Sequence, residues 1–457
     1  MHKPTLNRPK TNCSTASTSS TDKDAVVGEV EQFLKDAIIR MEPDQVEMRR
    51  DGPGRPRVMP SLALWAGLLV CVLKGFSSKL DIWRLLTHHS LWFYPRFALS
   101  DQAIYNRLDK AGTAPLEKLF CQISSLLKER LAPFAQKSLA PFASQVVALD
   151  ETTLDPIARK LPSLRGLPKG DRRLLPGKLA GLFDLRCQQW LKIRHIPDPD
   201  QNEKLSARSM IEGLPEGSLI LADLGYFGFA WFDHLTDSGY HWISRFRSKT
   251  SYEVVHTYYR HGDVIDCLIH LGAYRSDRAA HAVRMVQFKV GANSYQYITN
   301  VLDPNTLSIR EIAQLYARRW DIELAINLVK THLKLHLLWS AKEVTILQQV
   351  YAVLIISQIL QALRLEVAGR AEVDPFEVSM ELLIRWMPQY AYDGDDPIAG
   401  FVQQGRAMGF IRPSRRTVVK APNIHPEQIN PLPRDIILAR KPRYGNWNRS
   451  SRPKKSN

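Results

Sequence analysis

The sequence predicts an α/β protein whose mixed core is flanked by helical segments. Two patterns support this prediction. Apolar residues recur at helical spacing over 61–135, and from Val146 onward the chain changes to short β-branched runs that alternate with helical ones. The core elements come in the order three strands, helix, strand, helix, strand, which is typical of strands and helices stacked in layers.

Length, charge and cysteine content restrict the class of protein. With 457 residues the chain can form about three domains of ordinary size. Its net charge of +16 favours a polyanionic partner, most often nucleic acid, because neutralised phosphates release counterions. The five cysteines are scattered, with neither a C-x-x-C pair nor a zinc-type cluster, which predicts reduced thiols in a cytosolic protein.

Neither a secretory signal nor a membrane span is expected. The N-terminus is polar and rich in serine and threonine, unlike the apolar run of a secretory signal. The two most apolar windows, at 62–73 and 350–363, are too short to cross a bilayer and predict buried core helices. We therefore expect no membrane partner.

The N-terminal third is predicted to be helical. Composition predicts disorder for residues 1–25, and residues 26–140 are expected to form a helical domain. Within it, Ser100 is a good N-cap for a short helix that follows another near 81–88. The pair fits either a helix-turn-helix that reads a DNA major groove or a plain packed helix pair. The exposed candidates for groove contacts on the second helix are Gln102, Tyr105, Asn106 and Arg107.

The predicted core occupies residues 141–340. It begins with VVALD, a β-branched run that ends in Asp150, and continues with strands at 177–185 and 189–196 that form a hairpin. A helix around 206–214 precedes a buried strand that ends in Asp223. The remaining core elements are a helix near 227–235 and a strand at 241–246. This order corresponds to a ribonuclease H-like core.

A β-rich insertion is predicted at about 247–300, before the closing helix of the core. Its strand candidates are VIDCLIHL, RMVQFKV and SYQYITN, in which apolar and polar residues alternate. Helices are predicted for 341–395. Residues 396–457 form a basic, proline-containing tail, which is either a solvated end or a secondary DNA contact.

The stretch at 316–334, YARRWDIELAINLVKTHLK, is predicted to be one amphipathic helix. At about 100° per residue, four polar side chains fall within roughly 60° of one another: Tyr316, Arg319, Glu323 and Lys330. Beside them lies an apolar stripe that docks the helix on a core: Leu315, Ile322, Ile326, Val329 and Leu333. A lone carboxylate among phosphate-binding groups suggests a metal ligand acting on nucleic acid, while salt bridging along a solvated helix is the alternative.

Three carboxylates are expected to meet in the core. Asp150 and Asp223 end strands and Glu323 lies on the closing helix, and strand ends in an α/β layer face a common crevice. Hard oxygen ligands suit Mg²⁺ or Mn²⁺, and two such ions about 4 Å apart activate a water or a 3′ hydroxyl and stabilise the leaving oxygen. An aspartate after a strand is also frequently a turn former, and Asp155 is a rival to Asp150.

These motifs together resemble a known family. The spacing Y-x2-R-x3-E-x6-K resembles the C-terminal signature of the IS4 group of bacterial DDE transposases, and ALDETT and ADLGYF are similar to the two aspartate sites of that group. The resemblance implies a catalytic and metal-binding triad of Asp150, Asp223 and Glu323 with two Mg²⁺ or Mn²⁺ ions. It also implies that phosphates near the cleavage site are held by Tyr316, Arg319 and Lys330.

The resemblance further implies cut-and-paste DNA transposition. Terminal inverted repeats of double-stranded DNA would be bound, synapsed by a homodimer, cleaved, and joined to target DNA by a cytoplasmic, nucleoid-associated bacterial protein. Two alternatives stay open, namely a metal-dependent nuclease of the same fold without strand transfer and a catalytically silent DNA-binding derivative.

Two further features concern DNA contacts. Arg245, Arg247 and Lys249 alternate along HWISRFRSK, so on a strand they project from one face, either toward the DNA backbone or into solvent. Relatives hold a flipped base with a tryptophan in the β insertion, whereas this chain has none between Trp242 and Trp320. The tyrosines that offer stacking surfaces instead are Tyr252, Tyr258, Tyr259, Tyr274, Tyr295 and Tyr297.

Overall fold

The computed structural model describes residues 29–41, 58–76, 78–154, 165–168, 177–198, 201–273, 277–333, 335, 339–340, 342–392, 396–414 and 418–444. The helices in these ranges are α1 Glu29–Met41, α2 Ser61–Leu73, α3 Lys79–His88, α4 Asp101–Ala111, α5 Ala114–Leu131, α6 Glu203–Ile211, α7 Phe229–Asp237, α8 Ile309–Arg318, α9 Trp320–Asn327, α10 Glu343–Arg370, α11 Met380–Tyr392 and α12 Pro397–Gln403. The strands are β1 Val146–Thr153, β2 Lys178–Asp184, β3 Gln189–Ile196, β4 Leu219–Ala222, β5 His241–Arg245, β6 Tyr252–His261, β7 Val264–Leu271, β8 Ala282–Val290 and β9 Asn293–Thr299.

The strands form one nine-stranded mixed sheet in the order β3-β2-β1-β4-β5-β9-β8-β7-β6. β1, β2 and β3 are antiparallel neighbours, whereas β1, β4 and β5 run parallel. The core therefore has three antiparallel strands followed by two parallel ones. In sequence, α6 precedes β4 and α7 precedes β5. This is the ribonuclease H-like core that the sequence predicts. The structure confirms this fold class, including the helical N- and C-terminal parts.

Alternation along β1 assigns its residues to two cores on opposite faces of the sheet. Val146 and Ala148 belong to the larger apolar cluster, which includes the N-terminal helices, α8, α9 and α10. Val147 and Leu149 belong to the second cluster, which is formed with α6 and α7. By the same alternation, Asp150 faces the helices of the larger cluster.

The β insertion extends the core sheet instead of forming a separate layer. Its last strand, β9, pairs antiparallel with β5, so that this edge of the core sheet is covered. Three insertion strands coincide closely with the predicted runs, but β6 has no predicted counterpart. It is the edge strand, and two register shifts in its pairing with β7 disturb the alternation by which a strand is recognised.

Helix α10 lies in the centre of the helical layer and contacts α2, α5 and β3. By length and composition it could cross a membrane, but 89% of its most apolar window is buried inside the protein. The apolar window at 350–363 is therefore part of a longer core helix. The window at 62–73 is also confirmed as a buried helix, α2.

Residues 418–444 of the C-terminal tail contact the sheet at several points, although most of their side chains are exposed. Ala439 bridges to His281 beside β8, and the Tyr444 hydroxyl donates to Asp233 of α7 at 2.7 Å. Arg440 donates to the carbonyl of Leu271 at 2.5 Å. These contacts join the tail to the insertion and to α7, which composition alone does not reveal.

A buried ion pair in the insertion gives a test of the core. Arg284 is completely buried and makes hydrogen bonds of 2.8 and 2.6 Å to both oxygens of Asp266. We expect Asp266→Ala to lower the free energy of unfolding by about 3–5 kcal/mol, because it leaves a buried guanidinium unpaired. Urea unfolding measures the loss. The matched control is Asp263→Ala, which removes the exposed partner of Lys289 at 3.0 Å and should change stability by less than about 1 kcal/mol; equal losses would contradict the prediction.

Candidate active site

The two aspartates lie side by side where the parallel pairing of β1 and β4 ends. The last paired residues are Leu149 and Ala222, so the next residue on each strand is Asp150 and Asp223. The prediction that β1 ends at Asp150 is wrong, because β1 continues to Thr153 through its pairing with β2. The rival residue Asp155 lies outside the described residues.

The stretch at 316–332 is not the single regular helix that the sequence predicts. The amide of Arg319 donates to Tyr316 O at 3.1 Å and that of Ile322 to Arg319 O at 3.3 Å, so a tight three-residue turn separates α8 from α9. A π-helical segment, Leu328–His332, follows α9. Local hydrogen bonding therefore changes at both ends of α9, which helical periodicity does not predict.

The side chains of Arg319 and Glu323 remain hydrogen-bonded across this break. Arg319 keeps helical dihedral angles, with φ −53° and ψ −33°, and its Nη2 donates to Glu323 Oε1 at 2.7 Å. The predicted apolar stripe is confirmed, since its members are buried or partly buried in the larger core: Leu315, Ile322, Ile326, Val329 and Leu333. This stripe packs α9 on β1 and brings Glu323 toward Asp150.

Electrostatic coupling supports the proximity of the three carboxylates. Burial is the main cause that raises the pKa of Asp150 to about 6, against lowering contributions from the Glu151 amide and from Arg319. Repulsion from Glu323 and Asp223 adds to the rise. Asp150 and Asp223 are therefore neighbours where the pairing of β1 and β4 ends, and Glu323 lies near enough to repel Asp150.

The donor chemistry of this site fits a divalent cation. Asp150 accepts a hydrogen bond from the Glu151 amide at 2.8 Å and lies half-buried beside two further carboxylates, a charge excess that a cation would relieve. Within the described ranges, no three Asp, Glu, His or Cys side chains stand close enough together to ligate one ion as they are placed. Glu323 is instead directed at Arg319.

Lys330 and Tyr316 lie on either side of the carboxylates. Lys330 donates to the Thr152 hydroxyl, two residues beyond Asp150 on the same face of β1. Tyr316 is buried, and burial raises its pKa to about 12. The guanidinium groups of Arg245 and Arg319 each lie 5.9 Å from the centre of its ring.

The remaining basic candidates do not share a strand face. β5 ends at Arg245, and the chain then leaves the sheet, so the predicted alternation does not extend to Arg247 and Lys249. Arg247 lies 5.0 Å from the ring centre of Phe227 and donates to Leu224 O at 3.1 Å. It therefore borders the turn that follows Asp223, and Lys249 is exposed in the next turn.

A cleft of about 640 Å³ adjoins Asp223. Its lining includes Asp223 and five basic or aromatic residues expected from the sequence: Arg245, Tyr295, Tyr297, Tyr316 and Arg319. It also includes Trp320 and Phe376, which were not expected. Trp320 was missed although it follows Arg319 directly and is 53% exposed, which is unusual for a tryptophan. Phe376 comes from a distant part of the chain and carries no local signal. Tyr274 lies outside the described residues.

A second polar cluster on the opposite face supports the ends of β1 and β4. The Glu151 carboxylate accepts a hydrogen bond from Ser206 and lies 3.4 Å from Lys178 Nζ. Glu203, on the same helix face as Ser206, packs against Gly225, where an added Cβ would stand 2.2 Å from its Oε2. A side chain at position 225 would therefore displace the Glu203 carboxylate.

In the N-terminal helices, Ser100 is confirmed as an N-cap, since its hydroxyl accepts the Ala103 amide at 3.3 Å. Arg107 donates to the Met59 carbonyl and to the Ser61 hydroxyl, so its guanidinium is occupied within the protein. Gln102 and Asn106 are hydrogen-bonded to each other at 3.0 Å on the exposed side. Major-groove reading by this helix pair stays a prediction.

Residues 168–359, somewhat less than half of the chain, match the family model of the transposase DDE domain. This segment is therefore similar to a transposase DDE domain; it contains Asp223 and Glu323, while Asp150 precedes it. No curated protein sequence matches the chain significantly.

Among solved structures, one similar chain comes from a cryo-EM structure of the piggyBac transposase synaptic complex with hairpin DNA. It shares 8% sequence identity, and the alignment covers 89% of this chain and 86% of that chain with a TM-score of 0.39.

The raised pKa of Asp150 predicts a pH dependence of stability in the metal-free protein. Between about pH 4 and pH 6 the folded state holds a proton that the unfolded chain has lost, so the free energy of unfolding should fall as pH rises through this window. Asp150→Asn removes the charge and should be more stable than the wild type at pH 7.5, by roughly 2–3 kcal/mol, with the difference shrinking toward pH 4. Urea unfolding at several pH values measures this.

Asp109→Asn is the control with the opposite sign. The hydrogen bond from Lys342 holds the pKa of Asp109 below its usual range, so this variant should lose stability at neutral pH and recover it in acid. Parallel pH profiles for the two variants would contradict the assignment of a raised pKa to Asp150.

Proposed function

We propose that the protein is a DNA transposase of the IS4 group, which binds the terminal inverted repeats of its element, cleaves them, and joins the freed 3′ ends to target DNA. The observation that carries the proposal is that Asp150 and Asp223 are adjacent where the pairing of β1 and β4 ends, with Glu323, Arg319 and Lys330 on the stretch that packs over them. A binding protein gains nothing from clustered negative charge that faces phosphate, whereas a metal-dependent phosphodiester cleavage site requires it. The similarity of residues 168–359 to a transposase DDE domain supports the same class.

Asp150, Asp223 and Glu323 would hold two Mg²⁺ or Mn²⁺ ions. When bound, such ions activate a water or a 3′ hydroxyl and stabilise the leaving oxygen of the phosphodiester. Asp150 has to be ionised to act as a ligand, so ion binding should weaken below about pH 6.

The basic side chains around the triad would position the DNA backbone. Arg319 offers a planar fork for two phosphate oxygens, and Lys330 supplies a point charge at the opposite end of α9. Arg245 reaches the same cleft, in which the partly exposed Tyr295 offers a face for stacking with a base, whereas Tyr297 is buried beside it. Arg247 and Lys249 would extend this basic path past the turn after Asp223.

The wider setting follows from the same proposal. A net charge of +16 suits a partner of double-stranded DNA. Two transposon ends brought together by one copy each would make the synaptic complex a homodimer, and the protein would act in the bacterial cytoplasm at the nucleoid.

A cleavage and joining assay tests this function. Purified protein is incubated with Mg²⁺ or Mn²⁺ and labelled duplexes that carry the inverted repeats flanking its own gene. We expect cleaved and joined products from the wild type, and a loss of both by at least about 10³-fold in Glu323→Gln with DNA binding retained, because the variant lacks a ligand charge. Glu381→Gln, in an exposed pair with Arg385 on α11, is the matched control and should behave like the wild type.

The products discriminate between the alternatives. Cleavage without joining would favour a nuclease of the same fold, and DNA binding without cleavage by any variant would favour a catalytically silent derivative. Equal activity of wild type and Glu323→Gln would remove Glu323 from the site.

The proposed DNA path is tested by the salt dependence of binding. Arg245→Ala should weaken DNA binding to all sequences alike and reduce the slope of log Kobs against log salt by about 1, because one phosphate contact is lost. Fluorescence anisotropy at several salt concentrations measures both effects. Arg385→Ala, which removes an exposed charge paired with Glu381 on α11, should leave the slope unchanged; an unchanged slope for Arg245→Ala would exclude Arg245 from the path.

A further inference from the structure

Asp321 lies on α9 two residues before Glu323, but it faces the interior. Its side chain is completely buried, and its Oδ2 accepts hydrogen bonds from Arg318 Nε at 2.7 Å and from Gln188 Nε2 at 3.0 Å. It does not line the cleft. Neither the spacing motif nor the proposed chemistry accounts for this buried ion pair.

The ion pair spans the tight turn in the middle of the proposed site. Arg318 is the last residue of α8 and Asp321 is the second residue of α9, with Arg319 in the turn between them. The pair therefore links the two helices across the point where the regular hydrogen-bond ladder is interrupted. Because Arg319 and Glu323 follow directly from this turn, its geometry sets the direction in which both side chains leave the backbone.

Gln188 anchors the pair to the sheet. It lies fully buried in the turn between β2 and β3 and has a φ of +54°, a conformation that side chains rarely adopt. Its Nε2 also donates to Leu185 O at 3.0 Å, and Arg318 Nη2 reaches the same carbonyl at 3.4 Å. Such strain persists only where the surroundings fix it, and here the polar contacts of the side chain do so.

The network continues into the helical layer. Arg364 of α10 donates to Gln188 Oε1 at 3.4 Å. One residue further along the sheet, Gln189 donates to the carbonyl of Gln358 on α10 at 3.2 Å. Gln358 in turn donates to Ser124 of α5 at 2.6 Å. Contacts from the sheet and from α10 therefore hold the turn at Arg319, in addition to the hydrogen bonds within α8 and α9.

We propose that Asp321 is a positioning residue of the active site, which acts through Arg318 and Gln188 to fix the turn at Arg319 and so to hold Glu323 in register with Asp150 and Asp223. This inference rests on the proposed function for its meaning in catalysis. Buried ion pairs are often replaceable without loss of stability, so a role in stability alone does not explain why this one spans the turn. A displacement of about 1 Å in a catalytic group can reduce activity by ~10²-fold.

The test compares Asp321→Asn with Asp266→Asn in the full-length protein. Both aspartates pair with a buried arginine, but Asp266 lies in the insertion, away from the triad. Two readouts are independent of DNA cleavage: binding of Mn²⁺, measured by electron paramagnetic resonance of the free ion, and hydrogen exchange of peptides that contain residues 319–323. We expect Asp321→Asn to weaken Mn²⁺ binding by about tenfold or more and to accelerate exchange at 319–323, while Asp266→Asn changes neither.

Gln188→Gly is the second variant and does not depend on the folding of Asp321→Asn. Glycine adopts a positive φ without strain, which offsets part of the cost of the lost side chain, while the variant removes the hydrogen bond from Gln188 to Asp321. Urea unfolding establishes that the variant is folded before the two readouts are compared. We expect weaker Mn²⁺ binding and faster exchange at 319–323 than in the wild type, with both changes smaller than in Asp321→Asn. Wild-type Mn²⁺ binding and exchange in Gln188→Gly and in folded Asp321→Asn would overturn the proposal.

The outcome also separates this inference from the proposed function. If the wild type binds Mn²⁺ and the variants shift both readouts, but no DNA is cleaved, the positioning role stands and the transposase proposal fails. If the wild type cleaves and joins DNA and the variants match it in Mn²⁺ binding and exchange, the function stands and the positioning role fails.

Discussion

The parallel register of β1 and β4 is the constraint on which the candidate site depends. Because Leu149 pairs with Ala222, the first residues beyond the pairing are two aspartates on neighbouring strands. Strict alternation along both strands then points them toward the face that α8 and α9 cover. A slip of one residue in this register would turn one carboxylate to the opposite face, where Glu151 and Glu203 already form a separate cluster.

The closing stretch meets two requirements with two local departures from a regular helix. Its apolar stripe has to pack on β1, while Arg319 and Glu323 have to reach the place where the pairing of β1 and β4 ends. The tight turn at Arg319 and the π-helical segment after α9 change the direction of the chain on either side of Glu323. Deviations of this kind are common at functional sites, because they aim side chains that a regular helix would direct elsewhere. The buried pair of Arg318 and Asp321 stabilises the first deviation.

Much of the fold was predictable because periodicity and strand composition are local signals. QWLKIRHI coincides with β3, VIDCLIHL with β7, and the N-cap at Ser100 begins α4. The helix after β3 begins earlier than its apolar pattern suggested, because Asn202 caps it and accepts the Lys204 amide at 3.0 Å. β6 escaped prediction because register shifts disturb its alternation, and the packing of the tail depends on backbone groups of distant strands.

The sequence by itself determined which residue types stand at the carboxylate positions and at the fixed spacing from Tyr316 to Lys330, since these are properties of the chain written in order. It also determined the positive charge and the alternation of strands and helices. Only the tertiary structure decided that β9 joins β5, that Phe376 and Trp320 share a cleft with Asp223, and that Gln188 holds Asp321. These contacts join residues far apart along the chain, and no local pattern encodes which distant surfaces will pack together.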